Sequence, residues 1–205
     1  IADAGNIGSA SDKDAIAIAS GGVVTFSQNT VGAGGMDLLL SDTISSAVAD
    51  YDITSTYINS SYDSYYLVMT LIPVNDNVSP QMQVFVGGTL DTGANYGSEI
   101  GTFDGGAVQT SDSQDHIDLA RYNTGSSAGE GFSLVGTFTN INATDLPFSF
   151  QGTSHSGGTG AAPISAIIFG GLKMDQAGDV VNGIRIDFSG GNIESGSVQL
   201  YGLRK

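Results

Sequence analysis

The chain has 205 residues, 30 of them glycine and four proline, with 40% hydrophobic and 13% charged residues; this suits one turn-rich β domain, or one domain with a short appendage. Six Lys+Arg against 21 Asp+Glu give a net charge of −15, which repels phosphate backbones and anionic lipid and so argues against nucleic-acid partners and electrostatic membrane docking. The absence of cysteine excludes a disulfide and a thiolate metal site, no stretch reaches the roughly 20 apolar residues of a membrane span, and nine Phe and eight Tyr spread along the chain argue against disorder.

The chain begins at Ile1 and not at Met, which reads as a processed product or a fragment. Residues 1–35 form a short N-terminal β leader in this reading. Two extended pieces, 15–18 and 22–26, flank Ser20-Gly21-Gly22 and are followed by the loose run at 31–35. The apolar set of Ile16, Ile18, Val24 and Phe26 is too small for a core of its own. The leader is therefore an attachment segment that packs on the main body, on sister chains or on another component.

Residues 36–205 are expected to form the globular part. A helix-like piece stands at 41–49, where Ile44 and Val48 are four apart and Ser41 or Asp42 is placed to cap. Beyond it, short alternating or buried apolar runs broken by turn clusters predict about nine strands: 51–58, 65–74, 81–86, 116–122, 132–139, 147–151, 164–172, 183–189 and 197–203. Alternation is clearest in Ile184-Arg185-Ile186-Asp187-Phe188, which predicts one buried and one wet face. Leu67-Val68-Met69-Thr70-Leu71-Ile72 is apolar on both faces, as in a central strand covered by a second sheet or by a neighbouring subunit. No helical segments separate these strands, so the pattern fits an all-β, jelly-roll-like antiparallel β-sandwich better than a parallel α/β sheet. Segments 89–106, 110–114, 123–129 and 153–162 are rich in Gly, Ser, Asn and Asp and read as loops. Any recognition surface is expected there.

A search for chemistry returns little. His116 and His155 are the only histidines; His116 alternates with Asp118 on a polar strand face, and no Gly-x-Ser-x-Gly elbow accompanies either histidine. Carboxylate pairs for glycoside hydrolysis depend on the fold and are invisible here. Asp112-Ser113-Gln114-Asp115 and Asp76-Asn77 offer oxygen ligands of the kind calcium accepts, but neither matches an EF-hand and both suit turns. The reading is therefore no enzyme, no cofactor and no assigned metal. Sequons at Asn59, Asn77 and Asn142 are expected by chance in such a composition. Tyr62, Tyr65 and Tyr66 read as packing residues. Tyr96, Tyr122 and His155, in or beside loops, are the candidates for receptor or glycan contact.

Three stretches carry a resemblance. Ile7 to Ile18 with Gly21 to Gln28, Ser61-Tyr62-Asp63-Ser64-Tyr65-Tyr66-Leu67-Val68, and Ile193 to Leu203 ending in Leu200-Tyr201-Gly202 resemble the leader, a central strand and the closing strand of virion structural proteins of marine phages, of the tail-fibre or head-decoration type. The resemblance implies a β-rich homotrimer on the phage particle surface, attached to capsid or tail proteins through the leader, with distal loops facing the host. A lectin or carbohydrate-binding module is the alternative, and a glycan depolymerase a weaker one.

Overall fold

The computed structural model describes residues 6–7, 16–26, 35–103, 106, 108–158, 164–172 and 180–204. Within them every regular element is a strand, and sixteen strands run antiparallel to their partners. The chain divides into two compact units, Ile1–Gly35 and Met36–Lys205. In the first, β1 (Asn6–Ile7), β2 (Ile16–Ile18) and β3 (Val24–Phe26) make a small sheet in that order. The turn between β2 and β3 passes through Gly22 at φ 81°, a backbone conformation that glycine adopts without a steric penalty. The predicted loose run lies outside the described residues at 31–34.

The second unit is a sandwich. Its larger sheet has eight strands in the order β10 (Gln109–Gln114), β9 (Tyr96–Thr102), β14 (Ile164–Leu172), β13 (Ser149–Gly157), β12 (Gly131–Thr139), β6 (Tyr62–Pro73), β16 (Ile193–Arg204) and β4 (Met36–Ile44). The smaller sheet runs β11 (Ile117–Asp118), β7 (Pro80–Val86), β15 (Val181–Phe188) and β5 (Tyr51–Ile53), with β8 (Thr89–Leu90) paired to β7. One hydrophobic cluster takes side chains from both. Leu67, Met69 and Leu71 of β6, Phe138 of β12 and Phe150 of β13 come from the larger sheet; Ile53, Met82, Val84, Ile184 and Ile186 come from the smaller. Phe138 stacks on Phe148 with centroids 6.0 Å apart and lies tilted against Phe150 at 5.2 Å, spacings at which aromatic pairs attract beyond the area they bury. Such alternation, every second residue inward, is the period-two signature of a half-buried strand.

The all-β sandwich expected from the pattern is what forms, but several elements differ. The first part of the helix-like piece at 41–49 is the end of β4, which stops at Ile44, and Val48 beyond it makes an isolated bridge to Ile193. Ser41, Asp42 and Thr43 are exposed and Ile44 is buried, and pairing of these residues with β16 overrides the weak four-residue period. The segments at 89–106 and 110–114 are largely strands β9 and β10, and β13 continues through 157 into the predicted loop. Strand 116–122 shrinks to β11, and strand 51–58 stops at Ile53 in a turn, where the Tyr57 and Ile58 amides donate to the Thr54 carbonyl.

Candidate functional site

Pairing register places four complete rows on the outward side of six contiguous strands, β14, β13, β12, β6, β16 and β4. The first row is Ser165, His155, Ser133, Thr70, Ser197 and Thr43. Next come Ile167, Thr153, Val135, Val68, Gln199 and Ser41, then Phe169, Gln151, Thr137, Tyr66, Tyr201 and Leu38. The last is Gly171, Ser149, Thr139, Ser64, Leu203 and Met36. None of these positions is Asp, Glu, Lys or Arg. The inward neighbours on the same strands are the core, so the alternation that buries Leu67, Met69, Phe138 and Phe150 also presents this face to solvent.

Cross-strand contacts order its side chains. Thr70 and Ser197 hydroxyls lie 2.9 Å apart, Thr139 and Ser149 hydroxyls 2.6 Å apart, and Tyr66 and Tyr201 rings 6.3 Å between centroids. Val135 and Ile167 are each 37% exposed and Phe169 is 53% exposed. A shallow depression between Tyr66 and Phe169 is floored by Gly136 and Gly152 and flanked by Thr137, Gln151 and Thr153.

A second cluster occupies the outward side of the smaller sheet. Asp118, Gln81 and Asp187 are registered across β11, β7 and β15, and Gln83, Arg185 and Asp52 across β7, β15 and β5. Arg185 donates to both Asp52 oxygens, from Nε at 2.7 Å and Nη2 at 2.8 Å, with an Asp50 oxygen 3.4 Å from Nη2. His116 lies between Asp115, 2.6 Å from Nδ1, and Asp118, 3.2 Å from Nε2, with the Gln81 amide 2.9 Å from Nε2. The Asp118 hydrogen bond leads in raising the His116 pKa, burial opposing it. Burial pushes the Asp187 carboxyl up to about 6 against the nearby positive charges of His116 and Arg185, and its Oδ1 is buried without a hydrogen bond.

The chemistry of this cluster follows from its order. Ser111 Oγ donates to Asp118 at 3.1 Å and not to His116, so the hydroxyl sits on the acid and not beside the base that would deprotonate it. His155 has the reverse arrangement: its Nδ1 is 3.1 Å from Ser165 Oγ, and among the described residues no carboxylate orients the ring. Among the described residues no group of three or more His, Asp or Glu side chains is placed to hold a metal. Asp76 instead accepts from Ser126 N and Oγ at 2.7 and 2.8 Å, and Asp112 from Ser113 N at 2.8 Å, contacts characteristic of acidic turn residues.

The three residues singled out in the sequence have different fates. Tyr96 is 1% exposed; its hydroxyl donates to the Asp91 carbonyl at 2.9 Å and accepts from Val84 N at 3.0 Å, so its ring is core and cannot stack on a ligand. Tyr122 is 42% exposed, with the Arg121 guanidinium 5.4 Å from its centroid. His155 is in a strand and not a loop, and it belongs to the uncharged face. Tyr66, Val135, Gln151, Ile167 and Phe169, which give that face its character, carry no local sequence signal. Comparison with known proteins returns no match to a family model, a curated protein or a solved structure.

Proposed function

We propose that this chain is a non-enzymatic structural module on the outside of a bacteriophage particle, of the tail-fibre or head-decoration type. In this reading it assembles as a homotrimer, is joined to capsid or tail proteins through its leader and is able to meet host surface glycan. The observation that carries the reading is the state of the leader. Its three strands are two or three residues long, yet Ile7, Val23, Val24 and Phe26 are 46%, 64%, 49% and 49% exposed. A ribbon of this size is marginal by itself, and apolar side chains held open on it call for cover from another body. The sandwich supplies a stiff unit, and the resemblance of the start, middle and end of the chain to phage virion proteins supports the placement. The test is to add purified full-length chain to adsorbing phage and to emptied heads. A fibre blocks adsorption, and a decoration protein binds heads without affecting adsorption; the absence of both effects would overturn the proposal.

The lectin reading draws on the exposed Tyr122 ring and on the depression between Tyr66 and Phe169. It predicts a hit on a neutral glycan array that weakens on Tyr122→Ala or Phe169→Ala.

A further inference from the structure

We infer that the uncharged outward face of six strands of the larger sheet, β14, β13, β12, β6, β16 and β4, bounded by the exposed Glu99 on β9, is where copies of this chain pack against one another. The inference deepens the assembly part of the function proposed above and rests on it. Four rows across six strands make 24 positions without a charged side chain, whereas at the chain's own 13% charged residues about three would be charged in any patch of that size. Depletion of charge together with aromatic side chains is the composition of interface cores, and Tyr66, Tyr201 and Phe169 supply the aromatics. Six strands about 4.8 Å apart and four outward residues about 6.8 Å apart span roughly 24 by 20 Å, and roughly 700 Å² with side-chain margins. That approaches the roughly 800 Å² each partner contributes to a standard protein interface.

The occupant follows from charge and from side-chain chemistry. With a net charge of −15, two copies repel each other wherever carboxylates meet, as they would over the smaller sheet with Asp50, Asp52, Asp115, Asp118 and Asp187. They approach without that repulsion only where charge is missing. A basic partner would be drawn instead to the acidic surfaces. The centre of the face is aliphatic, with Val68 and Val135 paired on adjacent strands and Ile167 two strands from Val135. These side chains gain by packing against other apolar groups and offer a sugar no hydrogen bond. The two-faced apolar character of β6 has the same origin: the smaller sheet covers Leu67, Met69 and Leu71, and a sister chain covers the side that carries Val68.

The test is sedimentation of the full chain over a range of concentrations, beside a Gln151→Glu/Thr153→Glu double variant and a Ser55→Lys control. Residues 151 and 153 are exposed on β13 and Ser55 is exposed in the turn after β5, so all three proteins should fold, which circular dichroism confirms. The inference predicts a wild-type oligomer, unchanged association for the control and at least about tenfold weaker association for the double variant, since like charges brought together cost several kcal/mol. A trimer dissociated by the double variant supports both the face and the homotrimer; a dimer dissociated by it supports the face and overturns the homotrimer. An oligomer indifferent to the double variant overturns the face and leaves the homotrimer standing. A wild-type monomer at every concentration overturns both, and retention of that monomer on a neutral glycan matrix, lost in the double variant, would assign the face to a sugar.

Discussion

Asp187 shows how much one side chain can hold against the fold. It stands on β15 between Ile186 and Phe188, which are buried in the core, and it is forced to the other face beside Gln81 and near Asp118. Burial raises its pKa from the ordinary 3.8 to about 6, so the folded state holds the proton more tightly than the unfolded chain does. The penalty of ionising it is absent below about pH 4, grows between pH 4 and 6 and is complete above pH 6. Asp187→Asn is therefore predicted to stabilise the protein at pH 7.5 by about 1–2 kcal/mol, a figure reduced for partial exposure, and to have little effect near pH 4. Thermal unfolding of both proteins at the two pH values checks this; equal shifts at both would show that ionisation is not the cause.

The core makes equally local demands. Phe138 is fully buried against Phe148 and Phe150, so Phe138→Ala should lose about 3–5 kcal/mol in denaturant unfolding, and a loss under about 1 kcal/mol would mean that this layer is not tightly packed. Gly136 lies beneath the Phe150 ring, where a Cβ would collide with the ring. Gly136→Ala is predicted to lose about 1–3 kcal/mol through overpacking, measured in the same titration. The roles of Ile184, Ile186 and Phe188 are the plainest in the sequence, because these residues alternate with charges.

Strands were legible where side chains are large and alternate, and illegible where they are small. β6, β12, β14, β15 and β16 each bury a clear series of apolar residues, and the pattern marks them. β9 and β10 read as loops because Tyr96-Gly97-Ser98-Glu99-Ile100 and Gln109-Thr110-Ser111-Asp112-Ser113-Gln114 are turn-like in composition. They are the two outermost strands on one side of the larger sheet; β9 is held by the buried Tyr96 and Ile100, whereas β10, with no buried residue, is held by pairing. The bulge between Ser111 and Gln114 and the left-handed Ser113 at φ 55° distort the exposed side of β10, which hinders pairing with another chain. Tyr96 anchors this region by joining β9 to the Val84 amide of β7 in the opposite sheet. Tyr96→Phe leaves the Val84 N–H without that acceptor and should lose about 1–3 kcal/mol. Faster amide exchange at Val84 and along β9 would report it, and unchanged exchange would show that the bond does not hold the sheets together.

At the scale of the molecule, an acidic cluster marks the outward side of the smaller sheet and an uncharged patch covers six strands of the larger, bounded on β9 by the exposed Glu99 that is registered with Phe169. The smaller sheet gathers Asp50, Asp52, Asp115, Asp118 and Asp187 about Arg185 and His116, while the larger turns its uncharged rows outward. No inspection of the chain reveals that arrangement, because each row draws on six strands spread from residue 36 to residue 203 and register alone aligns them. His155 reads as a loop residue in the sequence and is instead a strand residue, the only histidine in the four rows. The exposed apolar residues of the leader and the uncharged face of the sandwich are the physical basis for the proposal that places the chain in an assembly. The most direct measurement is immunogold labelling of intact phage particles that carry this gene, with antibody raised against the purified chain. Gold at fixed positions on the outside of the tail or head is the predicted result; particles that stay unlabelled while their lysate contains the protein would contradict the account.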